Sequence, residues 1–544
     1  MNRPTTLFAG LLFSFLAAIG AAHANTITVN STADNNVTND GQCTLREAVQ
    51  AARDDNMNQS NKDCAWGQGK DKIVFAARDP AAGPVIILNT QIQLSSDLII
   101  QGPATIRSAG SERLFRIGGQ YEIDLIELEL EDGNEIGAGG AILISTGAAT
   151  VLIESCVFRN NFAANNGGAI NNFNSLVTIK NSEFITNESG ANGGAIRGSD
   201  LIIENTYFTS NHAAFGGGAI YCSGGGASQP VQVRRTFFEN NIAWAEIDGG
   251  NQSGGGGAIM SYCHLDVEET EFLANMAFGV VGGGAVLNGS SGVATIRRSL
   301  LQVNSAGFGE TGSGSGGAIL SQGRLVLDRS VLTENVVRGG LGGGGVMFQD
   351  SQLSEIVNSV IMNNTAQFDQ THALSTQPNQ PQSGGGITIF GNSDVTVIHS
   401  SILFNFGKSE IHFVPSPTGE GNFQNTLIQG AFTDETCDGH DFQLFNGGNT
   451  SVSGGNLQYG TKTMPTCPEI PIVKPGLTFA SGGFGVSTPG GLMSFDYPTP
   501  DYFGPAVGGG VATFCSDPVV NQRDLFSFAR VLPCDVGAVE VPTQ

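Results

Sequence analysis

Residues 151–196 read VLIESCVFRNNFAANNGGAINNFNSLVTIKNSEFITNESGANGGAI, and two short signatures inside this stretch decide the fold. One is Gly-Gly-Ala-Ile, beginning at Gly167 and again at Gly193. The other is an aromatic or aliphatic residue followed three positions later by Asn, as in Phe158 to Asn161 and Phe184 to Asn187. Each returns after roughly 25 residues, a period that suits one coil of a solenoid. Both signatures continue outward. Gly-Gly pairs also begin at Gly139, Gly217, Gly256, Gly283 and Gly316, with variants at Gly344 and Gly385, and the second element recurs at Asn211, Asn241, Asn275, Asn304, Asn335 and Asn364.

Stacked coils must place equivalent side chains in columns. Five residues before the Phe position stand Ile153, Ile179, Ile203, Val233, Val267, Ile296, Leu327 and Ile356, which is a core column. Alternation across the pleat turns the next residue outward, and this column reads Glu154, Lys180, Glu204, Arg234, Glu268, Arg297, Asp328, changing sign at every step. In-register parallel stacking brings such neighbours to roughly 4.8 Å at the backbone, where opposite charges help and like charges repel. The Asn column reads as a structural ladder at a turn, because Asn tolerates left-handed backbone and stacked amides bond to one another. The Gly-Gly pair is expected to supply positive φ at another corner. The resulting class is all-β: a single-stranded right-handed parallel β-helix over residues 71–430.

The ends are different in kind. Arg3, the apolar run Leu7 to Ile19 and Ala22-His23-Ala24 make a Sec-type signal peptide over residues 1–24, with the mature chain starting at Asn25. In residues 25–70, Thr44-Leu45-Arg46-Glu47 is a capping box that opens a short amphipathic helix, expected to plug the first coil. Residues 431–544 form a Gly/Pro-rich module bearing cysteines. The weak coils at Val395 to Leu403 and Leu427 to Ile428 are expected to lack the terminal Asn.

Nine cysteines in an exported chain predict disulfides with one thiol left over. Sequence proximity pairs Cys43 with Cys64, Cys437 with Cys467 and Cys515 with Cys534. Cys222 and Cys263 follow equivalent points of successive repeats. Cys156 replaces a Ser or Thr at a repeat position and reads as a buried thiol.

The N-terminal Cys43-Thr44-Leu45-Arg46-Glu47-Ala48 resembles the Cys-Ser-Leu-Arg-Glu-Ala box that opens many secreted bacterial β-helix proteins, and Gly-Gly-Ala-Ile with Phe-x-x-Asn resembles the repeats of the polymorphic outer-membrane proteins of chlamydiae. The closing Cys534-Asp535-Val536-Gly537-Ala538-Val539-Glu540, with Asn521-Gln522-Arg523 before it, is similar to the terminal module of the same group. The resemblance implies a secreted or surface protein of uncharacterised activity. The residues after Ile428 are too few for the barrel that ends the chlamydial proteins, so self-mediated outer-membrane insertion is not expected.

A net charge of −24 argues against nucleic acid and anionic lipid as partners, and no segment is apolar enough for a membrane helix. Function is expected where insertions leave the coils, at Ser223 to Pro230, Trp244 to Ser253 and Ala366 to Ser383. Trp244 can stack on a sugar ring, with Glu246 and Asp248 beside it. Arg234 and Arg235, with Arg297 and Arg298, can line an anion-binding strip, although Glu268 and Glu269 interleave with them and favour an ion-pair face. A polysaccharide lyase needs calcium and a basic residue, yet Gly139 to Ile428 holds only Lys180 and Lys408 as lysines. A hydrolase needs converging carboxylates, for which Asp200, Glu246, Asp248, Asp266 and Glu271 are available. Asp34, Asp40, Glu246 and Asp248 are calcium candidates without a recognised spacing, and no other cofactor is expected. The expectation is an extracellular, cell-surface or periplasmic scaffold that binds a glycan or protein without catalysis. The alternative is a lyase or hydrolase acting on an acidic polysaccharide.

Overall fold

The computed structural model describes residues 25–55, 63–76, 83–145, 147–223, 230–244, 255–278, 281–307, 315–338, 342–367 and 384–403, and, further on, 405–407, 409–413, 420–424, 426–429, 435–437, 450–453, 457–459, 477–488 and 491–500. The chain is a parallel β-solenoid. One coil runs through the strands Thr150–Glu154, Val157–Arg159, Phe162–Ala163 and Ile170–Asn172, and the next opens at Leu176–Lys180. Each strand pairs in parallel with its equivalent one coil on. The first and second strands of successive coils share one sheet, the third strands form a nine-stranded sheet, and the fourth strands belong to a third sheet.

The apolar column holds in full. Ile153, Ile179, Ile203, Val233, Val267, Ile296, Leu327 and Ile356 are register partners in sequence, and all are fully buried. On the second strand Phe158, Phe184, Phe208, Phe238 and Phe272 stack with ring centroids 4.6–4.9 Å apart, the interstrand spacing imposed on flat rings. Each such buried side chain contributes about 1.5–3 kcal/mol by removal from water.

The Asn column is a continuous hydrogen-bonded ladder at the corner after the second strand. Asn161 donates through both its backbone N–H and its Nδ2 to Oδ1 of Asn187, and the same pair of bonds repeats through Asn211, Asn241, Asn275, Asn304, Asn335 and Asn364. The ladder runs one coil further than the sequence reading allowed. Asn364 donates to Asn405, three residues after Ile402, so the terminal Asn is present in that coil. The left-handed residue of the corner is also not the Asn. It is the one before it: Asn160, Thr186, Ser210, Asn240, Ala274, Val303, Glu334 and Asn363, at φ 52–58°. The ladder Asn instead saturates the corner, its second Nδ2 hydrogen reaching a carbonyl of the preceding coil such as Phe208 O from Asn241.

A second ladder occupies the bend between first and second strands. There the hydroxyls of Ser299, Ser330, Ser359 and Ser400 accept from the backbone N–H one coil earlier, and Ser182 does so from Cys156. Cys156 is the buried thiol in this row, and burial pushes it up to about 12.

At the Gly-Gly corner the sequence expectation holds in part. The first glycine has positive φ at Gly139, Gly167, Gly193 and Gly217, but not at Gly256, Gly283 or Gly316. At those three the constraint is closeness: a Cβ on Gly256 would lie 1.8 Å from the carbonyl oxygen of Ile259.

At the N-terminus the strand Thr26–Val29 pairs with Asp71–Phe75, and the helix Leu45–Asp54 packs beside both. Its capping box is complete, Thr44 and Glu47 each bonding the other's backbone N–H. Leu45, Ala48, Val49, Ala51 and Ala52 continue the solenoid core, which closes that end. Disulfides join Cys43 to Cys64 and Cys222 to Cys263. Cys467, Cys515 and Cys534, and the side chain of Cys437, lie outside the described residues. Parallel pairing continues beyond residue 430 through Thr450–Ser453 and Leu457–Tyr459, and Leu477–Thr488 forms an antiparallel ribbon with Gly491–Pro500. Among the described residues no helix is long and apolar enough to cross a membrane.

Candidate binding surfaces

The outward charge column of the first strand stacks in the expected register: Glu154 beside Lys180, then Glu204, Arg234, Glu268, Arg297 and Asp328. Its side chains pair diagonally as well as directly. Arg234 lies 3.7 Å from Glu268 and 3.4 Å from Asp266, and Arg297 reaches Asp266 at 3.2 Å. The bend residues form a parallel row in which Arg298 bonds Glu268 and Glu269, and Arg235 bonds Asn205 and approaches Glu269. Arg234 and Arg235 are therefore partnered by carboxylates on adjacent coils. Guanidinium charge on this strip is neutralised within the strip itself.

Trp244 is the last residue of the third strand Ile242–Trp244, not a loop residue as expected from the insertion that follows it. It is 46% exposed. Its register partner one coil on is Phe278, with ring centroids 4.4 Å apart, and His212 meets it edge-on at 6.5 Å from the coil before. Ile242 and Met276 pair beside them on the same outward side. Alternation explains the arrangement, since the intervening Ala213, Ala243 and Ala277 point inward and are buried. The result is an aromatic and aliphatic platform on the outer side of the third-strand sheet, its rings tilted or edge-on to one another. It faces away from Arg234 and Arg235, because the whole second strand and the Asn corner separate the two groups along the coil. Glu246 and Asp248 lie outside the described residues, as do most residues of the three insertions.

Two features went unread in the sequence: the pairing of Glu129 with Glu131, and the burial of Glu271, which the sequence offers only as one of several hydrolase carboxylates. The first is a carboxyl pair on the outward side of Glu122–Glu131. Burial and a hydrogen bond to Glu131 hold Glu129 above the usual carboxylate range. In Glu131 burial works the same way but is outweighed by that hydrogen bond and by Arg107, leaving it below the range. Arg159 stands 3.5 Å from Glu129, and Arg107 is also 3.1 Å from Asp132. Glu129 and Glu131 are two residues apart on a strand, so period-two alternation already placed them on one face.

The second is Glu271, in an outward column that runs Glu183, Tyr207, Phe237, Glu271, Leu300, Val331, Val360. Glu271 is only 1% exposed, and neither carboxylate oxygen has a hydrogen-bond partner among the described residues. Burial pushes its pKa up to about 7.

Of the carboxylates considered for hydrolysis, the three that lie among the described residues do not converge. Asp200 is buried before the first strand of its coil, Asp266 is held by two arginines, and Glu271 lies beyond the bend at Glu269. Of the calcium candidates, Asp34 is bidentate to Arg46, and Asp40 accepts from the Gln42 N–H. Among the described residues no group of three or more His, Cys, Asp or Glu is placed to hold a metal ion.

No family model matches the chain, and no curated protein matches it. Among solved structures, the Azotobacter vinelandii mannuronan C-5 epimerase AlgE6 A-module is similar at 13% identity, covering 76% of this chain and 94% of that one with a TM-score of 0.35. Overlap that loose carries no argument about activity, and the solenoid stands on its own register and packing.

Proposed function

We propose that the protein is an exported scaffold whose third-strand sheet binds a glycan or protein ligand without turning it over. The observation that carries this reading is the Trp244–Phe278–His212 platform, an exposed aromatic surface held rigid by parallel pairing on both sides. Aromatic rings with a flat, half-exposed face stack on the apolar faces of sugar rings and serve as anchors in protein interfaces. The arginines of the first-strand strip do not compete for that role, because their charge is met by Asp266, Glu268 and Glu269. The disulfides Cys43–Cys64 and Cys222–Cys263 support an oxidising compartment and hence export.

Binding is tested with glycan and cell-surface arrays on the exported chain and its Trp244→Ala variant. Loss of binding in a variant with unchanged thermal unfolding supports the platform, and equal binding by both refutes it. A second reading, acid–base attack on a polysaccharide, draws on the Glu129–Glu131 pair, whose carboxyls are pushed in opposite directions, Glu129 up and Glu131 down. Incubation with uronic-acid and neutral polysaccharides, following unsaturated products and new reducing ends, separates the two. Turnover abolished by Glu131→Gln would replace the scaffold reading with an enzymatic one.

A further inference from the structure

Asp71 opens the strand Asp71–Phe75 beneath the N-terminal cap and is fully buried. Its Oδ1 accepts from the backbone N–H of Gln68 at 2.8 Å and of Asn25 at 3.0 Å, while its Oδ2 has no hydrogen-bond partner among the described residues. No described basic side chain pairs with it, since Lys70 next door is turned to Glu122 and Asp124, and the acidic Asp55 is near enough to disfavour its charge. Gly67 packs so closely that a Cβ there would stand 2.4 Å from Oδ2. A buried carboxylate with two neutral donors and a vacant lone-pair side is a costly arrangement unless a cation arrives.

The group facing it is the backbone nitrogen of Asn25, the residue at which the sequence reading starts the mature chain. Asn25 is otherwise anchored through its carbonyl and its side-chain Nδ2. Its carbonyl accepts from Lys72 N–H at 2.8 Å, and its Nδ2 donates to Trp66 O at 3.0 Å. We propose that hydrolysis of the Ala24–Asn25 bond completes this site by turning the Asn25 nitrogen into an α-ammonium that ion-pairs with Asp71. Water supplies its hydroxyl to the Ala24 carbonyl carbon and its other proton to the nitrogen, the C–N bond breaks, and the amine takes the proton released by the new Ala24 carboxyl to become –NH3+. An amide nitrogen has one hydrogen, already spent on Oδ1, whereas the ammonium has three, so Oδ1 keeps its bond and Oδ2 gains one. The pair ties the first strand to the second and to the capping segment, so that export processing and closure of the solenoid end become one event. This inference rests on the export reading of residues 1–24 and adds to it a partner for the new terminus.

The test uses the full chain secreted through its own leader, and a variant with Gly-Ser inserted between Ala24 and Asn25 that displaces the amine without altering the disulfides. Intact mass is expected to place the start of the native chain at Asn25. A different start shows that the leader reading fails and removes the amine on which the proposal depends. With the start confirmed, the insertion is expected to raise the unfolding equilibrium constant at least tenfold, and to do so far less in an Asp71→Asn background. Equal losses in both backgrounds, or none, overturn the ion pair while leaving processing intact. If Asp71→Asn does not fold, amine-selective acylation decides. The native α-amine is expected to react at least tenfold more slowly than that of the insertion variant, and equal rates overturn the proposal.

Discussion

Replacing Glu271 with Gln should stabilise the protein at neutral and alkaline pH and do little in acid. The side chain sits between Phe237 and Leu300 in an outward column that is apolar from Leu300 through Val331 to Val360. Its pKa rises from an ordinary 4.5 to about 7 because burial penalises the carboxylate and no donor compensates. At 1.36 kcal/mol per unit, that shift is roughly 3 kcal/mol. The sign follows from proton binding. Between pH 4.5 and about 7 the folded state holds a proton that the unfolded state has released, so stability falls as pH rises through this window. Below it both states are protonated and the term vanishes; above it both are ionised and the folded state carries the full penalty. Urea unfolding of the native chain and of Glu271→Gln across pH 4 to 8 should therefore give curves that meet in acid and diverge by about 3 kcal/mol in alkali. Glu271→Leu, which continues the apolar column, should diverge in the same direction. Parallel curves would show that the carboxylate finds compensation in the folded state, and a Gln variant less stable at pH 8 would refute the argument outright.

Asn241→Ala removes the acceptor of two bonds from Asn211 and the donor to Phe208 O and to Asn275. At about 1–3 kcal/mol for each buried polar group left unpaired, the loss should be on the order of 3–5 kcal/mol by chemical denaturation. Reduction of Cys222–Cys263, which closes a separation of 41 residues, should cost roughly 4 kcal/mol on the chain-entropy estimate, read as a fall in the unfolding midpoint of a Cys222→Ser, Cys263→Ser variant. Arg298→Ala, despite its two carboxylate partners, should cost no more than about 1 kcal/mol, because the pair is about a third exposed, and the difference should shrink in high salt.

The parts of the fold that repeat were legible because repetition turns one weak pattern into many aligned ones. The column from Ile153 to Ile356 and the alternating charges from Glu154 to Asp328 each restate period-two alternation, coil after coil. The left-handed corner was not legible, since Asn, Thr, Ser, Ala, Val and Glu all fill it; the bonds of the following Asn impose the conformation whatever the side chain. Asn405 fits the same pattern as its fellows, three residues after Ile402, but the irregular Gly-Gly spacing of the late coils obscures the period there. Trp244 was assigned to the insertion that begins after it, although its offset from Asn241 equals that of Phe278 from Asn275 and so placed both on one strand. The burial of Glu271 had no signal. An outward position on a strand predicts exposure, and its burial comes from tertiary packing that no local pattern encodes.

The Asn ladder has a direction. From Asn161 to Asn364 each residue donates its backbone N–H and one Nδ2 hydrogen to the Oδ1 of the Asn one coil later, while its second Nδ2 hydrogen reaches back to a carbonyl. The side-chain amide dipoles consequently align along the long axis and polarise one another, as hydrogen-bonded chains do. A partly assembled stack thus has unlike ends: bare Oδ1 lone pairs on its N-terminal face, and bare N–H groups on its C-terminal face. A newly made coil arrives with the acceptor that the donor face lacks, so growth in the order of synthesis is the chemically matched direction. By the same polarity, two exposed stack ends are complementary head to tail and repel head to head.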